Sequence, residues 1–582
     1  MAFPSGTCNM LLLERSAGNE RTENCLGKTG EEIVLLSNTT QCATDPKPIV
    51  VLLILIPCSV YTNIIHVDLE ETREEWPWEF DPPARPAPPD LESPDKKTYE
   101  DDGDDDDLYE FRRDVHRRST YDYGDVLHKS IQFYEAQKSG ALPADHRLPW
   151  RNDSALYDSG LNGEDLTGGF YDAGDHVKFG FPMAYTTTVL TWGLLRYKDA
   201  YEAAGELENM YNIIKWATDY FIKAHPTPNE LYMQVGDGRI DHSYWIRPED
   251  MTMERPPFIV NSSNPGSDVA GETAAAFAAA SIVFQEVDLA YSTELLAHAL
   301  DLYSLANNYR GAYTSSYYAS SNYGDELAWA SAWIYYATEN LTWKAEAESM
   351  YATYIDSVGN PWSFSWGTKN AGVALLMFEI TQNTTYSKKL KSFVNGWLPE
   401  NEFPHTPLGL AFRSEWGSLR YAAATGMLAL FASDSGIRAT RFKDWGKQQI
   451  DYMLGNSGRS FVVGFGVNSP QSPHHRASSC TEEVFGSTAL NSPNVNPHLL
   501  VGALVGGPDS QDNYVDNRKD YVKNEVACDY NAAFQSAVAD DVFTVMNIVL
   551  CLMVALQLPT SIDLLRAGYI YTTSVFRLRS EF

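Results

Sequence analysis

Three features of the sequence predict an all-α protein built as a toroid of helical hairpins. Apolar residues recur at the i, i+3, i+4, i+7 spacing that gives a helix one buried stripe, as in Met210, Ile213, Ile214, Ala217, Tyr220 and Phe221. Twelve such stretches follow one another, separated by clusters of Gly, Pro and Asn. Runs with strand alternation are few, and several stretches are rich in the helix formers Ala, Leu and Met, as in Thr273 to Ile282.

In chain order the helices are expected at 123–139, 186–204, 206–225, 271–287, 292–309, 325–340, 343–356, 370–382, 386–397, 418–433, 438–454 and 525–539. The 582 residues are 44% hydrophobic and 13% aromatic, with 34 Tyr and 14 Trp, so the bulk of the chain is globular and long enough for one large core. Aromatics fill cores, and their flat faces also stack on sugar rings. The formal net charge is −33, which repels phosphate backbones and anionic membrane surfaces and argues against nucleic acid as a partner. Of the seven Cys, only Cys480 and Cys528 fall between residues 122 and 540, so disulfides are not the main staple of that region.

The ends differ from the middle. Residues 1–67 carry Lys47 and then the apolar run Ile49 to Ile56, continued by Pro57, Cys58, Ser59 and Val60, which has the length of a signal-peptide core or a short anchor. Residues 68–121 are acidic and Pro-rich, with Asp104 to Asp107 unbroken, and are expected to be a disordered linker. Residues 541–582 form an apolar tail in which Val542 to Leu558 has the length of a marginal transmembrane helix. Thr544, Asn547 and Gln557 interrupt that run, and a buried terminal helix is the competing expectation.

Polar functional groups concentrate in three places. The first is Gly168 to Pro182, where Asp172 and Asp175 stand three apart in a Gly-rich aromatic loop before a helix. Two close carboxylates hinder each other's ionisation, and hydrogen bonds to one leave it ionised as a base; turn-forming Asp and Gly explain the same pattern. The second is Ser460 to Asn468, followed by Pro473-His474-His475-Arg476, a source of donors for hydroxyls or a carboxylate, or an ordinary surface loop. No Cys or carboxylate stands at zinc-like spacing to that pair of histidines. The third is Tyr514 to Ala533, with Asp516 and with Glu525 placed where it opens an apolar helix and favours its dipole.

Together these clusters resemble glycoside hydrolase family 9, the cellulases and endoglucanases of bacteria, plants and invertebrate animals. The resemblance covers about residues 122–540 in family order, through Phe133-Tyr134, Gln137-Lys138-Ser139-Gly140, Leu142-Pro143, Trp150-Arg151, Asp172 to Pro182 and Val235-Gly236-Asp237-Gly238. It continues through Asn264 to Ala274, Asp325-Glu326-Leu327, Trp416 to Tyr421 and Gly502 to Pro508. It implies an (α/α)6 barrel, matching the twelve helices, and an inverting hydrolysis of β-1,4-glucan that needs no cofactor. By resemblance Asp175 is the general base, Asp172 positions the water and Glu525 is the general acid. His474, Arg476 and Asp516 are expected to bind and orient groups around the scissile bond. Trp362, Trp416, Tyr421 and Tyr530 match positions that offer ring faces or hydroxyls to glucosyl units, and His242 matches a cleft histidine; each serves core packing equally well.

Some family members bind calcium at a Ser-Gly-x-x-Asp-Glu segment plus a later Asp. Here Ser321, Asn322, Asp325 and Glu326 match, but the Gly has become Asn322 and the later acidic position is Gly367, which weakens or removes a site that wants six to eight oxygens. Ala533 stands where many relatives have Gly. Sequons at Asn152, Asn261, Asn340 and Asn383 fit a secreted protein, with a membrane-anchored form facing outside as its variant if an apolar terminal segment is retained. A monomer is expected. Two rival functions are an inactive, lectin-like glucan binder and a helical scaffold; the presence of Asp172, Asp175 and Glu525 argues against the first and the intact loop clusters against the second.

Overall fold

The computed structural model describes residues 121–555 apart from Thr314 and Ser321, with side chains as far as Met546. The expected signal or anchor at 49–60 and the acidic linker lie outside the described residues, as does Ser321. Twelve long helices carry the chain: α1 (Tyr123–Gln137), α2 (Gly180–Ala203), α3 (Leu207–Ala224), α4 (Ser267–Phe284), α5 (Leu289–Asn308) and α6 (Gly324–Thr338). They continue as α7 (Leu341–Tyr354), α8 (Asn370–Thr381), α9 (Thr384–Gly396), α10 (Ser418–Asp434), α11 (Ala439–Asp451) and α12 (Cys528–Ala555).

These helices form two concentric rings, an (α/α)6 barrel. Inner helices pack side by side in the runs α2–α4–α6–α8 and α10–α12–α2, so the last inner helix returns to the first. Outside them α3 lies on α2, α5 on α4, α7 on α6, α9 on α8, α11 on α10, and α1 on α12. The sixth hairpin therefore joins the two ends of the domain.

The rings differ in side-chain chemistry because they differ in surroundings. Outer α3 buries Met210, Ile213, Ile214, Ala217, Tyr220 and Phe221, the stripe its periodicity predicts. Inner α4 is buried on all sides, and Ala274, Ala275, Ala276, Ala278, Ala279 and Ala280 let neighbouring backbones approach. The barrel axis is filled by Trp192 of α2, Trp329 and Trp333 of α6 and Phe431 of α10. Their rings meet edge to face at 5.4–5.7 Å, the geometry aromatic quadrupoles favour.

Several boundaries depart from the sequence reading, three helices among them with a local cause. α2 starts at Gly180 rather than 186 because Pro182 falls in its first turn, where no intrahelical N–H is needed. α11 ends at Asp451 and widens into a π turn over Tyr452–Asn456, in which Gly455 takes φ 150°. α12 starts at Cys528, leaving Glu525 in extended backbone at φ −62°, ψ 151°, and it runs past position 540 to Ala555. Among the described residues no helix is long and apolar enough to cross a membrane. Cys480 and Cys528 are both free and buried.

The only described sheet is small, antiparallel and ordered β1 (Lys178–Phe179), β2 (Glu230–Val235), β3 (Pro257–Asn261). Lys178 pairs with Val235, and this register sets the loop ending at Asp175 beside the short helix Gly238–Asp241.

Candidate active site

Asp172 and Asp175 sit on a loop that folds back on itself. Asp172 N–H donates to the Val177 carbonyl at 3.1 Å, and Asp175 Oδ1 accepts from Ala173 N–H at 3.3 Å. Gln137, at the end of α1, fixes the loop from behind by donating to the carbonyls of Tyr171 (3.1 Å) and Ala173 (2.8 Å). Its own amide oxygen accepts from His475 Nε2 at 2.8 Å. One glutamine thus joins the first cluster to the second.

A second seam lies at Gly174, whose carbonyl accepts from Arg476 N–H at 3.0 Å. A Cβ there would strike the His474 carbonyl and crowd the His475 Cα, so the close approach requires glycine. The third cluster joins the second through backbone pairing. His474 N–H donates to the Asn524 carbonyl at 2.8 Å, and His474 and Glu525 form a parallel bridge. Glu525 is held further by its carbonyl, which accepts from Gly506 N–H at 2.8 Å within the Gly-rich segment 502–508.

These seams deliver Asp175, His242, Trp416, His474, Arg476, Tyr521 and Glu525 to one cleft. Trp416 Nε1 donates to Glu525 Oε2 at 3.2 Å, and His242 Nε2 lies 3.2 Å from Asp175 Oδ2. Arg476 pairs with Asp241 at 2.5 Å and lies over the Trp245 ring. Tyr521 spans the floor between Trp416 (centroids 5.1 Å apart) and His474 (5.9 Å).

Burial sets the protonation states. Desolvation pushes the His474 imidazole down to about 3, and its Nδ1 lies 2.5 Å from the Arg518 carbonyl. A carbonyl only accepts, so Nδ1 carries the proton and Nε2 keeps a lone pair. Asp172 is buried, accepts a hydrogen bond at Oδ2 from Tyr318 and leaves Oδ1 without a partner. Burial, and next the Asp175 charge, raise its carboxyl well above the ordinary range. Asp241 is raised by burial too, against the pull of Arg476.

Several sequence expectations need correction. Asp172 and Asp516 are not among the cleft-lining residues; Asp172 lies behind Asp175 in the same loop, whereas the two oxygens of Asp516 accept the N–H groups of Gln471 (2.8 Å) and Ser472 (3.0 Å), so it pins the turn that leads to His474. Tyr421 and Tyr530 are 1% and 2% exposed, so neither offers a ring face; they pack with Arg420, which also pairs with Asp529 at 3.3 Å. Trp362 and Trp416 remain half-buried. Tyr521, Gln137, Asp241 and Trp245 also shape the site; Gln137 and Tyr521 lie inside the segments 137–140 and 514–533 without a chemical signal of their own, and Asp241 and Trp245 lie outside every cluster.

Among the described residues neither metal possibility has a complete ligand shell. At the expected calcium position Asp325 accepts from Lys369 N–H at 2.5 Å, and Glu326 pairs with the buried Lys369 ammonium at 3.2 Å, alongside Glu272 at 3.0 Å. Among the described residues Asp325 Oδ1 and Glu326 Oε2 keep no partner, two oxygens where calcium takes six to eight. The ligand atoms of Asp175, Asp241 and His242 lie within 4.8 Å of one another. The Arg476 guanidinium already neutralises Asp241 there, and a second cation would face its charge.

Comparison with known proteins places this geometry. The family model "Glycosyl hydrolase family 9" matches residues 123–538. Endoglucanase B of Cellulomonas fimi is 45% identical over 445 residues, covering 72% of this chain, which spans only 42% of that protein's length. The fold superposes on the endoglucanase of the termite Nasutitermes takasagoensis with TM-score 0.71 and 52% identity, covering 73% of this chain and 99% of that one. A C. cellulolyticum cellulase solved with cellobiose gives TM-score 0.69 at 36% identity, covering 73% and 99%. With the barrel, the paired aspartates and the Glu525 segment all in family order, the chain belongs to glycosyl hydrolase family 9.

Proposed function

We propose that the protein is an endo-β-1,4-glucanase that cuts internal bonds of cellulose or a related β-glucan with inversion. The observation that carries this reading is the convergence of Asp175 and Glu525, 350 positions apart, on one cleft lined by His242, His474, Arg476, Trp416 and Tyr521. Inversion needs one carboxylic acid to protonate the leaving oxygen and one carboxylate to activate water on the opposite ring face, roughly 6.5–9.5 Å away. Asp175 takes the proton of the water and Asp172 helps place that water. Glu525 protonates the departing glycosidic oxygen, and the Trp416 indole N–H stabilises the carboxylate it becomes. Neutral His474 and the Arg476 pair face sugar hydroxyls, while half-buried Trp362 and Trp416 offer apolar surface to ring faces. The hydrolysis draws on no cofactor.

The named relatives are endoglucanases, and one solved neighbour holds cellobiose, which supports the substrate class and gives the non-cutting, lectin-like reading no support. Secretion, with the chain acting as a monomer outside the cell, is part of the same proposal; exposed sequons at Asn340 and Asn383 favour it. The test is release of reducing ends from a soluble cellulose derivative, with the product anomer followed by NMR. Glu525→Gln and Asp175→Asn should each lose about 10²–10⁴-fold in kcat, and wild type should release the α-anomer. A wild-type protein that binds glucan and releases nothing, or that releases the β-anomer, overturns the reading.

A further inference from the structure

Asp172 is held by a residue that no sequence cluster contains. Tyr318, on the connection from α5 to α6, is 4% exposed and donates its phenolic proton to Asp172 Oδ2. Its ring has no freedom to leave. Phe179 of β1 meets it edge to face at 4.9 Å and Trp366 at 4.8 Å from another side. The backbone beneath is fixed as well, since Ser315 Oγ accepts the N–H groups of both Tyr317 and Tyr318 at 3.1 Å.

The connection is tied to the barrel by the start of α4. Ser267 N–H donates to the Gly311 carbonyl at 2.7 Å, Ser267 Oγ accepts from Gly311 N–H at 3.1 Å, and the Asp268 carboxylate accepts from Tyr313 N–H at 3.0 Å. A chain of contacts therefore runs from an inner helix, through the 309–323 connection, to one oxygen of the water-placing aspartate. The other oxygen, Oδ1, is buried without a protein partner and is the one left to receive a water.

We propose that Tyr318 is a positioning residue for the hydrolysis, fixing Asp172 through Oδ2 so that Oδ1 is presented to the nucleophilic water. This rests on the assignment of Asp172 and Asp175 above. Its effect passes through one carboxylate, so it carries a signature that a packing role lacks. Four groups bear on the ionisation of Asp172 besides Tyr318: Asp175 and Asp529 most strongly, then Glu525, with Cys528 beside it, and its burial penalises the charged form. The tyrosine hydrogen bond opposes all of these by favouring the carboxylate.

The experiment uses Tyr318→Phe, which keeps the clamped ring and removes one oxygen, with Asp172→Asn and the double variant. Reducing-end release is measured as kcat and KM across pH 4–8, and folding by circular dichroism and thermal unfolding. Tyr318→Phe should lower kcat about 10- to 100-fold with KM nearly unchanged, the scale of a hydrogen bond to a charged group. Its acid limb should move to higher pH, and the double variant should be no slower than Asp172→Asn alone, because both act through one group. A folded Tyr318→Phe with wild-type kcat and pH profile overturns the proposal, and so do losses that multiply in the double variant. Should Tyr318→Phe lose its fold, Asp172→Asn/Tyr318→Phe losing it as well while Asp172→Asn folds would assign Tyr318 to packing and overturn the proposal too. A wild-type protein with no activity would instead sink the glucanase assignment itself.

Discussion

Gly174→Ala isolates the seam on which the cleft depends. The added methyl would meet the carbonyl oxygen of His474, with the carbonyl carbon at 3.0 Å and the His475 Cα at 3.2 Å, all backbone atoms that no rotamer change moves away. Ordinary carbon contacts lie near 3.5–4.0 Å, so the two loops must part by about an ångström. Overpacking of this kind costs about 1–3 kcal/mol of stability. The catalytic cost is larger, because Asp175 follows Gly174 directly while Glu525 is bridged to His474, and the displacement falls on the gap between them. A misplacement of about 1 Å costs about 100-fold in rate. Saturating rates of reducing-end release should therefore drop about 100-fold while urea unfolding shows most molecules still folded. Wild-type kcat in Gly174→Ala, or a loss no greater than the unfolded fraction, would refute the reasoning.

Other perturbations test the buried charges. Lys369 is the ammonium shared by Glu272 and Glu326, all three side chains fully buried, so Lys369→Met should cost about 3–5 kcal/mol in urea unfolding by leaving uncompensated carboxylates; a loss under about 1 kcal/mol would contradict it. Burial raises Asp540 to about 6 and Asp268 to about 7, above their unfolded values near 3.8. For a raised acid the stabilisation is full below the unfolded value and is lost as pH rises through the folded one. The two acids thus pull the thermal midpoint down between pH 4 and 7 while the buried histidines, held below their unfolded value, pull it up, so the test is a difference: the midpoint of wild type minus that of Asp540→Asn should fall over this range, and a constant or rising difference sinks the account. His474 and His475 are both driven to about 3 by burial, so their imidazole nitrogen shifts should stay those of the neutral ring at pH 5; a titration near 6.5 would show that the cleft admits far more water.

Legibility of the fold followed the environment of each helix. Outer α3 meets solvent on one side, so its buried residues repeat with the helical period and the sequence marks its bounds within one residue at each end. Inner α4 is surrounded by protein and carries no polar stripe, which leaves composition as the guide and lets its ends drift by several residues; it begins at Ser267, not 271. The start of α12 differs from its sequence pattern for another reason. Glu525 precedes an apolar run and looks like a helix-opening acid, but Val526 pairs with Val505 and Glu525 with His474, so tertiary pairing keeps this segment extended until Cys528. That extension serves the chemistry: a carboxyl on a helix shoulder would answer to the helix, whereas here it answers to the strand-like neighbours that also hold His474.

The same distinction explains which site residues the sequence disclosed. Asp172, Asp175, His474, Arg476 and Glu525 have side chains of reactive types and stand in dense clusters, so resemblance reached them. Gln137 acts through carbonyls 34 and 36 positions away and through His475 338 positions away, and Tyr318 through Asp172 146 positions away, and nothing local to either residue encodes those contacts. Tyr421 and Tyr530 failed in the opposite direction, since an aromatic suits a sugar platform and a core equally and only the packing of Arg420 against both rings decides. Asp516 belongs with them: a carboxylate in a polar cluster carries the same letter whether it meets substrate or caps two backbone N–H groups, and the choice is made by the turn at 471–472 that folds onto it. Groups that react are therefore legible as residue types, while groups that aim them are legible only once the barrel has closed.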